Sequence, residues 1–244
     1  MITANKNKQF EKLFYTYLQR YLLKKNLHTI YLEGEISVDS NTPVIFIANH
    51  SSWWDGLLLF YLTSKNQDSN FYIMMDEEGL EKYPFFRKLG AYSINRSRPK
   101  DILKALQYSE QLMRDQKSVW MFPQGKIEHQ AVRPIQFQSG IGYLLQRFDH
   151  VIVKPVSLHY YFTEVQKPIV SIRFGEPCHI EGTSQSRSYW TSYVEQILEN
   201  QVRAHEHDVI HAKLEDAVQA MPLSKSTSDH FDAFKKGVKK WMPF

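Results

Sequence analysis

Hydrophobic and polar positions follow two different periods along the chain, one typical of strands and one typical of helices. Short apolar runs of strand type occupy residues 43–48, 71–75, 119–122, 151–158 and 169–174. Segments with helical spacing lie between and after them, at residues 53–64, 80–89, 100–114, 139–148 and 188–214. Strands that alternate with helices predict an α/β fold with a mostly parallel central sheet flanked by helices.

Both ends of the chain carry amphipathic patterns, which predict helices at the two termini. In residues 10–22 an apolar residue recurs every three or four positions, as in one stripe of a helix. Such a stripe packs either on the core of the protein or on a membrane surface. The pattern alone leaves both interpretations open for this first helix.

The second amphipathic pattern lies near the C-terminus and is strongly basic. Its apolar side chains are Phe231, Phe234, Val238 and Trp241, and the lysines between them are Lys235, Lys236, Lys239 and Lys240. Aromatic side chains beside several lysines are typical of helices that lie in a lipid interface. We therefore expect the aromatic residues and the four lysines of this helix to contact a membrane.

The chain length of 244 residues suits one domain with a sizeable core and small additions. The expected organisation is an amphipathic helix at residues 1–30, one globular domain at residues 31–223, and the basic helix at residues 224–244. No run reaches the roughly 18 apolar residues of a membrane-spanning helix, and the polar N-terminus lacks a signal-peptide core. These features predict a cytoplasmic protein that is peripheral on the inner face of the cell membrane.

Charge is distributed unevenly between the ends and the body of the chain. Residues 1–25 carry +5 and residues 224–244 carry +3, so that −4 remains for the body of a chain with a net charge of +4. Basic ends suit either nucleic acid or an anionic lipid surface. Because the aromatic spacing favours lipid, an anionic membrane surface is an expected partner and nucleic acid is not.

The sharpest chemical feature is the block Asn49-His50-Ser51-Ser52-Trp53-Trp54-Asp55, which directly follows an apolar strand. A histidine just beyond a strand can act as a general base near neutral pH, and a carboxylate can hold its tautomer. Five positions along a continuous helix would point the two side chains in different directions. His50 and Asp55 therefore meet only if His50 lies in the turn before the helix and Asp55 lies in its first turn. Ser51 or Ser52 is the candidate N-cap for that turn.

Of three further features, one follows a strand-like segment, one lies where a predicted strand ends, and one places a proline inside a predicted strand. The segment 90–96 ends in Arg96, whose guanidinium suits phosphate recognition. Phe122-Pro123-Gln124-Gly125 indicates a fixed turn whose backbone comes close to another group. Val153-Lys154-Pro155-Val156 places a proline inside an apolar strand, which predicts an edge, a bulge or a special turn.

The order and spacing of these four blocks resemble the lysophospholipid acyltransferase family, whose best-known members acylate 1-acylglycerol-3-phosphate. That family is marked by N-H-x4-D, then G-x-x-x-(I/F)-x-R, then F-P-E-G, and finally an apolar block with proline. The corresponding residues here are Asn49-His50 with Asp55, residues 90–96, residues 122–125 and residues 153–156. Residues 137–140 and 174–177 are also family-like, and the resemblance covers residues 42–180.

The resemblance implies a transfer of a fatty acyl group from acyl-CoA or acyl carrier protein to a hydroxyl of a lysophospholipid-like acceptor. His50 would act as the general base and Asp55 would orient it, without a covalent enzyme intermediate. Arg96 would bind the acceptor phosphate, and Gln124 with Gly125 would shape the acceptor site. No metal and no cofactor is implied beyond the acyl thioester, which is a co-substrate.

The third block departs from the family's usual F-P-E-G-T-R-S, because it reads Phe122-Pro123-Gln124-Gly125-Lys126-Ile127-Glu128. An amide replaces the usual carboxylate at Gln124, and Ile127 replaces the usual phosphate-binding arginine. Lys126 or Arg133 is a candidate substitute cation for the acceptor phosphate, although Glu128 adds an unfavourable charge. A glycosylated lipid or carotenoid is therefore an alternative acceptor.

Two other classes of function compete with an acyltransferase. A metal-dependent hydrolase would combine His50 and Asp55 with other histidines, but His129, His159 and His179 show neither HxH nor HExxH spacing. A non-catalytic peripheral membrane-binding protein would explain the basic ends but not the four ordered blocks. The single cysteine, Cys178, forms no intrachain disulfide and has no evident acid–base partner that would make it a nucleophile.

Overall fold

A computed structural model describes residues 1–38, 41–65, 70–214, 216–221 and 223–224. Its helices are α1 (Lys8–Tyr17), continued by a π-helical segment (Leu18–Leu23) and α2 (Lys24–Asn26), then α3 (Asp55–Lys65), α4 (Glu77–Lys82), α5 (Pro99–Arg114), α6 (Gly140–Leu145) and α7 (Arg187–Ile210). Its strands are β1 (Thr29–Glu33), β2 (Val44–Ala48), β3 (Phe71–Asp76), β4 (Ala91–Ile94), β5 (Ser118–Met121), β6 (Val151–Tyr161), β7 (Ile169–Phe174), β8 (Cys178–Ile180) and β9 (Val218–Met221).

The strands form one sheet in the order β4-β3-β5-β2-β6-β7-β1-β9, with β8 paired to β6. The pairs β4–β3, β3–β5, β5–β2, β2–β6 and β7–β1 are parallel, whereas β6–β7, β6–β8 and β1–β9 are antiparallel. Because β4 to β6 are parallel without interruption, their carboxyl ends meet at one edge of the sheet. The prediction of an α/β fold with a mostly parallel central sheet flanked by helices is confirmed.

The two faces of the sheet pack into two separate cores. On β2, Phe46 faces the core that α3 and the N-terminal helix cover, whereas Ile45 and Ile47 face the core that α5, α6 and α7 cover. Alternating side chains point to opposite faces of a strand, so a continuous apolar run such as β2 serves both cores. All three side chains are buried, which explains why this strand reads as an unbroken apolar segment.

The N-terminal amphipathic helix extends over residues 8–26, a little beyond the predicted residues 10–22. It presents two apolar stripes rather than one. Leu18 and Leu23 are fully buried against the first core. Leu13, Tyr17 and Tyr21 face outward, with 68%, 47% and 50% of their surface exposed. One stripe therefore packs on the core, as one interpretation held, and the other leaves an apolar face at the surface.

The prediction of a single helix at residues 80–89 is wrong, because the chain forms the end of α4 and a separate 3₁₀ helix there. Helix α4 ends at Lys82 and a 3₁₀ segment begins at Pro84 and ends at Leu89. Proline cannot donate the backbone hydrogen bond that would continue α4, but it suits the first turn of a new helix.

Pro155 lies inside β6, a strand with neighbours on both sides, rather than at a sheet edge. On one side β6 pairs with β2 throughout this region, and Pro155 is opposite Ile47. On the other side β8 pairs with residues up to Val153, and β7 pairs with residues from Val156 onward. Pro155, which has no N–H to donate, therefore lies where the neighbouring strand on this side changes from β8 to β7. This position differs from the edge, bulge or special turn that the sequence predicted.

Four strands were not predicted from the sequence pattern: β1, β8 and β9, and β4, which was recognised only as a strand-like segment before Arg96. None of the described helices is long and apolar enough to cross a membrane. The predicted basic helix at residues 224–244 lies outside the described residues from residue 225 onward. Ser224 itself is buried and donates its backbone N–H to the carbonyl of His28 at 2.8 Å.

Candidate active site

His50 lies in the turn that follows β2, and Asp55 is the first residue of α3. The two side chains meet: the distance from Nδ1 of His50 to Oδ2 of Asp55 is 2.8 Å. This is the arrangement that the spacing of five required, because the turn redirects the chain before the helix begins. Ser52 supports the turn, since its hydroxyl oxygen accepts the N–H of Trp54 at 3.2 Å and its carbonyl accepts the N–H of Asp55.

Asp55 is fully buried, and both oxygens of its carboxylate accept hydrogen bonds. Besides His50, Oδ2 accepts the backbone N–H groups of Ser51 and Ser52 at 2.8 and 2.9 Å. Its other oxygen, Oδ1, accepts the hydroxyl of Tyr160 at 2.5 Å. A buried carboxylate without such donors would be costly, and here four donors satisfy both oxygens of Asp55.

The imidazole of His50 is oriented as well as hydrogen-bonded. Its ring stacks on Phe122, with ring centroids 4.1 Å apart and planes 12° apart. Because Nδ1 contacts Asp55, the remaining nitrogen, Nε2, is the one available to a substrate. The side chain is 20% exposed and lines a large cavity, so a bound substrate can reach it.

The third block holds the backbone of His50 on both sides. Gln124 accepts the N–H of His50 through Oε1 at 2.7 Å, and the N–H of Glu128 donates to the carbonyl of His50 at 2.9 Å. Gln124 in turn donates through Nε2 to Glu128 at 2.9 Å. Glu128 also pairs with Lys126 at 2.9 Å, and the hydrogen bonds from Lys126 and Gln124 lower the pKa of Glu128 below its usual range.

The cavity at this edge of the sheet has a volume of about 650 Å³ and walls that are mostly apolar. Its apolar lining comes from both cores: Leu57 and Phe60 belong to the core under α3, whereas Leu106 and Met121 belong to the core under α5 and α6. The polar lining includes His50 and side chains contributed by the ends of strands and by the following loops. A space of this kind suits a long hydrocarbon chain with its reactive end at His50.

Of the four residues predicted for the acceptor site, Arg96, Gly125 and Lys126 line the same cavity as His50, and Gln124 does not. Arg96 is 46% exposed and lies 3.8 Å from Asp76. Gly125 adopts a positive φ of +73°, and a Cβ at this position would lie 3.4 Å from Nη1 of Arg96. A side chain there would be strained by the positive φ, which explains the glycine. Lys126 also lines the cavity, whereas Gln124 is buried behind His50.

Arg133 and Cys178, which the sequence raised as a candidate cation and a candidate nucleophile, both lie outside the cavity. Arg133 pairs with Glu206 at 3.0 Å and donates to the carbonyl of Gln130, so its guanidinium is committed to α7 and its own loop. Arg133 does not line the cavity, so of the two candidate substitute cations only Lys126 does. Cys178 lies on β8, and burial raises the pKa of its thiol, which disfavours a thiolate nucleophile.

The described part of the chain holds no group of three or more histidine, cysteine, aspartate or glutamate side chains placed to share a metal ion. His205 and His207 have a spacing that metal sites use, but they occupy different environments. His205 is buried against the sheet, where Ser157 and Ser171 contact its two nitrogens at 2.8 Å each. His207 is 56% exposed.

Sequence reasoning missed three residues that belong to this region: Asp76, Arg187 and Tyr160. Asp76 and Arg187 line the cavity, and Tyr160 contacts Asp55. Asp76 is the last residue of β3, a position where site residues collect in parallel sheets, so that signal was available. Arg187 is far along the chain from the four blocks, whereas Tyr160 follows the fourth block by four positions on β6, and no motif includes it. A second cavity of about 410 Å³, lined by Val44 and Ser118 at the opposite strand ends, contains none of the predicted site residues.

The class of protein follows from a family comparison that covers this site. The family model described as Acyltransferase matches residues 23–159, more than half of the chain. The chain therefore belongs to the Acyltransferase family and is an O-acyltransferase, as the order of the four blocks implied. His50, Asp55, Arg96 and the third block all lie within the matched residues.

Two particular proteins are similar to this chain. The 1-acyl-sn-glycerol-3-phosphate acyltransferase of Streptococcus pneumoniae (strain ATCC BAA-255 / R6) is 26% identical over 197 residues, which are 74% of this chain and 69% of the relative. The crystal structure of the 1-acyl-sn-glycerophosphate (LPA) acyltransferase PlsC from Thermotoga maritima matches with a TM-score of 0.55 and 17% identity. That match covers 81% of this chain and 77% of PlsC, and it shows a shared fold.

Proposed function

We propose that the protein transfers a fatty acyl group from acyl-CoA or acyl carrier protein to a hydroxyl of a lysophospholipid-like acceptor, with His50 as the general base. The observation that supports this role most directly is the 2.8 Å contact between His50 and the buried Asp55, which leaves Nε2 for a hydroxyl in the cavity. The name of the Streptococcus pneumoniae relative supports a 1-acylglycerol-3-phosphate type of acceptor.

The reaction follows from the chemistry of the pair. Nε2 of His50 takes the proton of the acceptor hydroxyl while the hydroxyl oxygen forms a bond to the thioester carbonyl carbon. The carbon–sulfur bond then breaks, and the departing thiolate takes the proton from the imidazolium. Asp55 stabilises the imidazolium between these steps. The enzyme returns to its starting state without a covalent intermediate, and general-base help of this kind supplies roughly 10²–10⁴-fold in rate.

Cations and apolar walls are arranged to hold such an acceptor. Arg96 and Lys126 line the same cavity as His50, and their charges suit an acceptor phosphate there. The apolar walls would take the hydrocarbon chains of the two substrates. Burying each methylene group stabilises binding by about 0.8 kcal/mol, so the walls supply much of the affinity.

A glycosylated lipid is the second candidate acceptor, and the charge pairing in the cavity favours it. Arg96 lies 3.8 Å from Asp76, and Lys126 lies 2.9 Å from Glu128, so each cation has a carboxylate beside it. A carboxylate near the cation weakens the attraction for a phosphate dianion and can itself accept hydrogen bonds from sugar hydroxyls. Ile127, which replaces the arginine usual in the family, lines the same cavity.

We also propose that the protein docks on the cytoplasmic face of an anionic membrane through the outward stripe of its N-terminal helix. A chain of aromatic rings connects Tyr17 to Phe14, Phe85, Tyr83 and Trp53, with successive ring centroids 6.3, 5.5, 6.3 and 6.4 Å apart. Tyr83 and Trp53 line the cavity, so a continuous series of aromatic rings connects the exposed stripe to the cavity. The proposed contact through Phe231, Phe234, Trp241 and Lys235, Lys236, Lys239 and Lys240 lies outside the described residues.

A thioester-release assay with a panel of acceptors tests the enzymatic proposal. Purified protein is given palmitoyl-CoA or palmitoyl acyl carrier protein with 1-acylglycerol-3-phosphate, a neutral monoacylglycerol or a glycolipid, and thiol release and acylated product are measured. We expect acceptor-dependent release that His50→Ala reduces by about 10²-fold or more. His179→Ala, which removes an exposed histidine on β8, is the matched control. Release that needs no acceptor, or that survives His50→Ala, would contradict the general-base role.

A further inference from the structure

We infer that Tyr160 is a positioning residue for the catalytic pair, acting through Asp55. Its hydroxyl donates to Oδ1 of Asp55 at 2.5 Å, whereas the imidazole and two backbone N–H groups contact Oδ2. The carboxylate is therefore held at both oxygens, and its plane is fixed relative to His50. Tyr160 does not line the cavity in the described structure, so it acts on the reaction only through the carboxylate.

The end of β6 is held in place by two side-chain amides. Strand β2 ends at Ala48, but the hydrogen bonding along β6 continues beyond it. Asn49 contacts both backbone groups of Leu158, accepting its N–H at 2.8 Å and donating to its carbonyl at 2.9 Å. Gln130 does the same for Tyr160, at 2.9 and 2.7 Å. The two amides extend the sheet's hydrogen bonding as far as the residue that contacts Asp55.

This arrangement connects the third block to the catalytic carboxylate. Glu128 and Gln130 are two positions apart in the loop that follows Gln124. Glu128 donates its N–H to the carbonyl of His50, and Gln130 holds the backbone of Tyr160. One loop therefore positions the general base directly and its carboxylate indirectly. A displacement of that loop would move both partners of the pair.

The hydrogen bond of Tyr160 also has an electrostatic consequence. Burial, together with the neighbouring Asp55, raises the pKa of Tyr160 well above its usual range, so the hydroxyl remains a donor at any working pH. A donor on Oδ1 disperses part of the carboxylate charge that would otherwise attract the imidazolium. Tyr160→Phe should therefore raise the pKa of His50, and it should loosen the carboxylate's orientation at the same time.

The test compares Tyr160→Phe with Tyr161→Phe, the next residue, whose side chain points to the other face of the sheet. We expect Tyr160→Phe to lower kcat by about tenfold, with the KM of the donor nearly unchanged. The acid limb of the pH profile of kcat/KM should move to higher pH. The charged side chains that share the cavity with His50, namely Asp76, Arg96, Lys126 and Arg187, are identical in both variants.

The kinetic readout rests on the proposed function, and a second readout does not. NMR titration of histidine-labelled protein, with the His50 signal assigned by its loss in His50→Gln, measures the same pKa shift without substrate. If the wild type transfers no acyl group but Tyr160→Phe still raises the pKa of His50, the proposed function fails and the positioning role stands. An unchanged pKa, or a kcat within twofold of the wild type, overturns the positioning role. Should Tyr160→Phe not fold, Gln130→Leu, which releases the backbone of Tyr160, must give the same direction of shift.

Discussion

Gln124 donates through Nε2 to Oε2 of Glu128 at 2.9 Å while its Oε1 accepts the backbone N–H of His50 at 2.7 Å. An amide can make both contacts because it carries a donor and an acceptor, whereas a carboxylate offers acceptors only. The glutamate that the resembling family usually has at this position would oppose Glu128. Gln124 and Glu128 therefore form a matched pair, and the departure from the family at one position accounts for the carboxylate at the other.

The matched pair leads to the first prediction. Gln124→Glu should lower kcat by about tenfold, because two carboxylates at hydrogen-bond distance either share a proton or move apart, and either change disturbs His50. Adding Glu128→Gln should restore most of the rate, because donor and acceptor then simply exchange places. The measurement is kcat for acceptor-dependent thiol release in the single and double variants.

The control for this prediction places the same like-charge contact far from the site. Gln111 donates to Asp115 at 3.0 Å on the exposed side of α5, so Gln111→Glu creates a comparable pair of carboxylates. Its rate should match that of the wild type. A double variant that is no faster than Gln124→Glu would show that Gln124 acts by some property other than its contact with Glu128.

A second prediction concerns Arg96 and the identity of the acceptor. If the acceptor carries a phosphate, Arg96→Ala should raise the KM of the acceptor by roughly five- to thirtyfold, because a charged hydrogen bond at a half-exposed site is lost. The KM of the thioester should change little. Arg203→Ala removes an arginine on α7 whose side chain is 57% exposed, against 46% for Arg96, and serves as the control. A rise with the glycolipid acceptor that equals the rise with the phosphate acceptor would argue against phosphate binding by Arg96.

The fold was predictable to the extent that it depends on long apolar runs. Strands such as β2 and β6 read clearly from the sequence because both of their faces are buried. Strand β4 has only four residues, Ala91-Tyr92-Ser93-Ile94, and its conformation follows from its pairing with β3. Propensity along the chain carries no such information, because sheet formation depends on partners that are distant in sequence.

The candidate site was predictable in its local part and not in its long-range part. The sequence showed that His50 and Asp55 meet only if His50 lies in a turn and Asp55 lies in the first turn of the following helix. The turn after β2 satisfies that condition. Tyr160 lies 105 residues beyond Asp55, and only the position of β6 beside β2 brings the two together. The spacing of residues along the chain cannot predict such a contact, because the contact depends on which strands are neighbours in the sheet.

A third prediction concerns stability and His205. Burial is the main cause that lowers the pKa of His205, Arg173 and His159 act in the same direction and Asp208 opposes them, and the resulting pKa is about 3. The imidazole is therefore neutral in the folded protein at pH values where it is protonated in the unfolded chain. Because the unfolded state binds the additional proton, the free energy of unfolding should fall as the pH drops below about 6.5, the ordinary histidine pKa.

Urea titrations between pH 7 and pH 5 measure this effect. His205→Gln should reduce the dependence of the urea midpoint on pH, because the variant has no proton to bind at this position, and His159, whose pKa burial also lowers, accounts for part of what remains. His207→Gln, at an exposed position two residues away, should leave the dependence as it is in the wild type. Measuring above pH 5 keeps the carboxylates Asp208 and Glu128, whose pKa values are lowered, from contributing to the slope. Equal slopes for wild type and His205→Gln would show that the buried histidine is not the group responsible.

The last prediction tests the membrane contact through the outward stripe of the N-terminal helix. The outward stripe consists of Leu13, Tyr17 and Tyr21, whose exposed fractions lie between 47% and 68%. It is flanked by the exposed cations Lys12, Arg20, Lys24 and Lys25. Replacing the three apolar residues with serine should weaken binding to anionic vesicles by tenfold or more, since insertion of each side chain contributes on the order of 1 kcal/mol. Sedimentation with vesicles of phosphatidylglycerol and phosphatidylcholine measures this binding.

Ile210→Ser, at a residue as exposed as Leu13 but at the end of α7, is the matched control and should bind as the wild type does. Raising the salt concentration should weaken wild-type binding further, because screening removes the attraction between the flanking cations and the lipid head groups. Turnover on detergent-dispersed substrate should persist in the triple variant, since His50 and Asp55 contact none of the three residues. If the triple variant sediments with vesicles as fully as the wild type, the N-terminal stripe does not hold the protein on the membrane.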